Sequence, residues 1–200
     1  MDTNIEVRYK QLPFEIIEDF ENNIQKASIS ITVIHDKDQY YNATGGPADI
    51  IIYIDQHLTE IIVGGVSELV INGVYDSIKT IWKKLRAYYS TKQIEIQEDK
   101  NYISLNFKLK PDRTLKYSLE GTVDEKIINN LTENIFEYLK NTEKQNKDFQ
   151  NLDYKDKDDL KPKIRMRYNP KTNSWNPVNF AEFEKWRDEQ IRQAEDKYDG

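Results

Sequence analysis

Apolar residues recur along this chain with two different periods, and each change of period marks a change of element. Ile5–Tyr9 alternates and predicts a first strand. After Pro13 the spacing lengthens. Phe14, Ile17, Phe20 and Ile24 share one helical face, while Glu15, Glu18, Asp19 and Glu21 turn to water. Proline suits such a start because the N–H it lacks has no helical partner there. Alternation returns over residues 28–35, SISITVIH, where Ile29, Ile31 and Val33 oppose Ser28, Ser30 and Thr32. That pattern predicts a half-buried strand.

Residues 35–47 read as a loop closed by Thr44-Gly45-Gly46-Pro47. No Lys-Ser/Thr follows the glycines and the dinucleotide glycine spacing is missing, so they mark a turn rather than a phosphate cradle. Residues 49–54 have the branched side chains of a buried strand. Pro47 and Asp49 nevertheless suit the opening of a helix and its positive end, and a helix is the expectation. Leu58, Ile62, Val66, Leu69, Gly73, Ile78, Trp82 and Leu85 then recur at helical spacing and predict one long helix to Tyr89. Gly65, Leu69 and Gly73 form one stripe of it, open to close approach by another backbone.

Strands are expected at 93–97, 102–109 and 114–119, with hairpin turns at 98–101 and 110–113. Thr122-Val-Asp-Glu125 has the form of a capping box. The helix it would open buries Ile127, Ile128, Leu131, Ile135 and Leu139. Mixed charge after Asn141 predicts a linker. KIRMRY at 163–168 reads as an isolated strand, and Asn169-Pro170 and Asn173-Ser174 as turns. Asn179 can cap a last helix whose apolar face is Phe180, Phe183, Trp186 and Ile191. A lone amphipathic helix needs a surface to dock on.

The fold class expected is α+β: a mainly antiparallel sheet with helices packed on one face, one long small-residue helix and a C-terminal helical tail. The division expected is an α+β domain at 1–141, a charged linker at 142–162, and a strand, turn and amphipathic helix at 163–200.

Composition narrows the function classes. A charged fraction of 32% and an apolar fraction of 38% leave room for a core that does not span the whole chain. A net charge of −6 argues against a general nucleic-acid binder. Only KPKIRMRY at 161–168 joins Lys161, Lys163, Arg165 and Arg167 to an aromatic, and a charged edge strand accounts for it as well. Cysteine is absent, which excludes disulfides and thiol chemistry and fits a reducing cytosol. The N-terminal residues show no export pattern, so the expected location is cytoplasmic. The central segment carries Asp49, Asp55, Glu60, Glu68 and Asp76, which favours a buried helix over one in contact with membrane.

No catalytic, cofactor-binding or metal-binding residue stands out, and no cofactor is expected. His35 and His57 share no metal-ligand motif. A metal site from Asp55, His57 and Glu60 is short of ligands, and Asp49 and Asp55 are read as caps or surface groups.

Three features carry a resemblance: Gly46-Pro-Ala-Asp49-Ile-Ile-Ile-Tyr-Ile, the small-residue helix ending Ile81-Trp82-Lys-Lys-Leu-Arg86, and the Gly121-Thr-Val-Asp-Glu helix start. Over residues 4–140 the chain resembles the effector-associated constant component domains of bacterial NTP-dependent conflict systems. The resemblance implies a non-catalytic protein-interaction component of an antiphage response, with an NTPase or an effector as partner, and homo-oligomers are an allowed outcome. The contact surfaces expected are the long glycine-bearing helix and the amphipathic tail, with Gly65, Leu69, Gly73, Trp82, Phe180, Phe183 and Trp186 as interaction residues. A second reading is an immunity protein, whose acidic surface would steer it to a basic toxin. A third is a small enzyme with dispersed catalytic residues.

Overall fold

A computed structural model of the chain describes residues 4–10, 12–35, 48–64, 68–97, 100–110, 113–150 and 163–178. These residues form seven strands and five helices in the order β1 (Ile5–Tyr9), α1 (Glu15–Lys26), β2 (Ile31–His35), β3 (Ile50–Ile54), α2 (Gln56–Gly64), α3 (Glu68–Thr91), β4 (Asn101–Leu109), β5 (Arg113–Glu120), α4 (Glu125–Lys140), α5 (Thr142–Gln150), β6 (Lys163–Asn169) and β7 (Ser174–Val178). The strands lie in one sheet, ordered β2-β1-β3-β4-β5-β6-β7.

The class is α+β, but the sheet is mixed, not mainly antiparallel. β1 and β2, β3 and β4, and β5 and β6 pair in parallel. β1 and β3, β4 and β5, and β6 and β7 pair antiparallel. The reason is topological. Every parallel pair is joined through helices, because a parallel return needs a long crossover. The chain is thus built of three strand–helix–strand units and a final hairpin. Reading 102–109 and 114–119 as a hairpin found one antiparallel link and missed the crossovers on either side.

The sheet has two unlike faces. Val33, Val7, Ile52, Leu105, Tyr117 and Met166 form one row across it by register. The Tyr117 hydroxyl donates to Asn134 of α4 at 3.1 Å, which puts α4 over this row. Ile5, Val7, Ile50, Ile52, Ile54, Leu105 and Phe107 are fully buried on this side. The neighbouring row runs Thr32, Glu6, Tyr53, Asn106, Lys116 and Arg165 and faces the other way. The polar face is engaged rather than bare: Arg8, Tyr53, Lys116, Arg165 and Arg167 all hold side-chain interactions.

Several expectations are corrected. Residues 49–54 are not helical: β3 is paired on both edges, and Ile50, Ile52 and Ile54 fill the core. Ile51 and Tyr53 are half-buried on the other face, so no polar residue breaks the apolar run, which a helix start resembles. The long helix divides into α2 and α3. Residues 94–97 form no strand. Gln93 takes a left-handed conformation, φ 55°, and ends α3, leaving Ile94 49% exposed. Asp124, not Thr122, caps α4, accepting the Ile127 N–H. Residues 142–150 are helix α5 with Phe149 buried, where a linker was expected; the rest of that linker lies outside the described residues. Lys163–Asn169 is not isolated and is not an edge, because β5 and β7 flank it. Phe14 caps α1 and is 43% exposed instead of joining its buried face.

Among the described residues no helix is long and apolar enough to cross a membrane.

Candidate functional site

A cluster of polar and aromatic groups lies where β1 and β2 end and β3 and β4 begin. Asp49 stands one residue before β3, held there because its carbonyl accepts the Lys10 N–H at 3.0 Å. Its carboxylate accepts the Tyr89 hydroxyl from α3 at 2.6 Å. The Lys100 ammonium pairs with the same carboxylate oxygen at 3.1 Å. Lys100 also lies over the Tyr102 ring at 4.7 Å and the Tyr89 ring at 5.6 Å. A register shift between Asn101 and Ile103 opens the bulge that contains Tyr102. Tyr102 then meets the edges of Tyr89 and Trp82, and its hydroxyl accepts the Gln97 N–H at 2.9 Å. On the neighbouring strands Tyr9 and His35 stack with centroids 4.6 Å apart.

The electrostatics favour a lock over an acid or base. Burial and the Asp49 bond push the Tyr89 phenol well above its ordinary value, so it stays a neutral donor. The carboxylate it meets is compensated by Lys100, as an ion with an 18% exposed side chain requires.

The α1–α3 pair ends near this lock. Lys84 of α3 donates to the Glu15 carbonyl at 2.8 Å and pairs with Asp19 at 2.5 Å, while Ala27 sits opposite Gly73. Those contacts make α1 and α3 antiparallel neighbours. Phe14, at the start of α1, therefore lies toward the end of α3, where Ile94 follows. Tyr88, half-buried and covered by Lys92, belongs to the same end.

Of the interaction residues singled out by pattern, Trp82 reaches this cluster. Trp82 is 1% exposed and faces Tyr102 and Arg86. A Cβ at Gly73 would meet the Ala27 side chain, so this part of the stripe packs on α1. Leu69 belongs to α3, with its side chain outside the description, and Gly65, Phe180, Phe183 and Trp186 lie outside the described residues. Asp55 caps α2 through the Leu58 N–H at 2.7 Å and accepts from Asn4 at 3.1 Å. Glu60 binds Lys110 at 2.7 Å and Gln56 at 2.9 Å, and the Lys110 bond foremost holds its carboxyl below the usual range. His57 is exposed. Among the described residues no group of three or more potential metal ligands comes together. Asp49, Tyr89 and Lys100 were not legible as a set, because 40 residues separate the first two and no local motif joins them.

No family model, curated protein or solved structure matches this chain.

Proposed function

We propose that the chain is a non-catalytic protein-interaction component of a bacterial antiphage or conflict system, working in the cytoplasm. The observation that carries the reading is the exposure of two large apolar side chains, Phe14 and Ile94, each toward the same end of the α1–α3 pair. Large apolar side chains left exposed on a polar surface are a feature of contact sites. The lock of Asp49, Tyr89 and Lys100 supports the same reading, since its polar groups hold one another and fix the shape of the end beside them. The contact surfaces are then the C-terminal end of α3 and the amphipathic segment 179–200. The conflict-system setting rests on the resemblance over residues 4–140.

The test is a tagged full-length chain, gently crosslinked in native lysate and recovered for mass spectrometry. The expected result is an NTPase or an effector, with recovery falling about tenfold in Phe14→Ser/Ile94→Ser at unchanged melting temperature. Removing residues 179–200 should weaken the same contact and leave the sheet folded. A toxin in the eluate would make the chain an immunity protein, and saturable turnover of any substrate would make it an enzyme.

A further inference from the structure

The two edges of the sheet differ in kind. β7 carries Pro177, which has no N–H to offer a further strand. β2 is Ile-Thr-Val-Ile-His, with no proline, glycine or charged Lys, Arg, Asp or Glu to defend it. Its ladder to β1 fixes which backbone groups point outward. The Ile5 N–H donates to the Ser30 carbonyl at 3.0 Å, and Ile5 is opposite Ile31. In a parallel ladder that register turns the N–H and C=O of Thr32 and Ile34 toward β1. The N–H and C=O of Ile31, Val33 and His35 therefore face away, and β2 has no second neighbouring strand among the described residues.

We propose that β2 pairs antiparallel with β2 of a second copy, about a two-fold axis normal to the sheet at Val33. The arrangement is self-complementary. Placing Val33 opposite Val33 sets Ile31 opposite His35, and all of these positions are of the outward, hydrogen-bonding kind. Each copy then satisfies the other along the whole strand. The side chains agree with the backbone. On the helix-covered face Val33 meets Val33 and Ile31 meets His35; on the polar face Thr32 meets Ile34. No pair sets like charges opposite each other. Ile31, Val33 and Ile34 are only half-buried within one chain, so pairing removes apolar surface from water. Five residues of edge make a small interface, below the roughly 1,200 Å² of stable complexes. The dimer is accordingly weak, with a dissociation constant on the order of 10–1,000 μM. The inference does not depend on the defence reading.

Sedimentation equilibrium of the full chain, joined to residue-resolved amide exchange, tests it. The expected result is a monomer–dimer equilibrium in which protection at Ile31, Val33 and His35 rises with concentration while that at Thr32 and Ile34 stays constant. Val33→Pro deletes an outward N–H that β1 does not use, and Val33→Lys sets two cations against each other. Both should weaken the dimer at least about tenfold, and Val33→Thr should keep it. If Val33→Pro fails to fold, Val33→Lys and the exchange pattern decide. A chain that stays monomeric to about 1 mM, or a dimer that both variants leave intact, would overturn the proposal.

Discussion

Tyr89 donates to the Asp49 carboxylate at 2.6 Å and so ties the last turns of α3 to the entry of β3. Lys100 shares that carboxylate and links it to the entry of β4. Tyr89→Phe removes one bond but leaves the carboxylate its cation, so the expected cost is about 1–2 kcal/mol. Asp49→Ala strands both the phenol and the ammonium and should cost more. Urea midpoints of both variants check this ordering, and a Tyr89→Phe midpoint equal to the parent's would remove the lock from the account of stability.

Four buried phenols make the fold sensitive to alkali. Burial raises the Tyr75 value, and burial raises Tyr117 with help from Tyr138 and Tyr75 nearby. Burial and then hydrogen bonds to Asp49 and Asp148 raise Tyr89 and Tyr138. All four are raised in the folded chain, so their contribution is whole below the unfolded value near pH 10 and is lost as pH climbs above it. Stability measured by urea between about pH 8 and pH 11 should hold flat and then fall steeply. Tyr117→Phe, with one such phenol fewer, should fall less steeply; an unchanged slope would show that Tyr117 ionises as readily folded as unfolded.

Two glycines should answer a methyl group in opposite ways. At Gly121 a Cβ would run into the Gln97 carbonyl oxygen and stand 2.8 Å from the Ile96 side chain. Backbone lies in the way, so Gly121→Ala should cost about 3 kcal/mol or more. At Gly73 the same Cβ would rest 3.4 Å from Ala27, an ordinary contact, inside helix α3. There alanine restores helix propensity, and Gly73→Ala should gain about 0.5–1 kcal/mol. Gly73→Leu, too large for the gap, should destabilise. Thermal melts of the three variants decide, and a destabilised Gly73→Ala would mean that α1 and α3 pack closer than this.

Local chemistry was legible and long-range chemistry was not. Ile5–Tyr9, α1, β4, β5 and the apolar face of α4 follow from periodicity, because in each the apolar residues keep to one face. β3 misled because Ile51 and Tyr53, half-buried on its second face, leave no polar residue to mark the alternation. α5 misled because Phe149 alone supplies its buried contact in a charged stretch. The parallel links are set by crossovers whose pairing no residue announces. Trp82 and Gly73 are explained by packing, while at the candidate site Asp49 and Lys100 meet only after folding. The exposure of Phe14 depends on how α1 starts and that of Ile94 on how α3 ends, which the period of the helices does not encode.

Those helix ends carry the last prediction. α1 and α3 both stop at a non-glycine residue in the left-handed region, Ser28 at φ 59° and Gln93 at φ 55°. The next N–H reaches back five residues in each case, Ile29 to Ile24 at 3.2 Å and Ile94 to Tyr89 at 3.0 Å. Glycine is the usual occupant of this position because a Cβ is strained there by about 1–2 kcal/mol. Gln93→Gly relieves that strain but adds freedom to the unfolded chain worth about 0.4–1 kcal/mol, so stability should hold or rise slightly. Gln93→Val adds a branch at the same angle and should lose about 1 kcal/mol. Gln93→Pro cannot reach a positive φ and forfeits the N–H bond to the Ser90 carbonyl, 3.1 Å long, so it should cost about 3 kcal/mol or more. Chemical denaturation of the series should rank Gly at or above the parent, then Val, then Pro. If Val matches Gly, α3 does not end at Gln93, and Ile94 would no longer be held outward beside Tyr88.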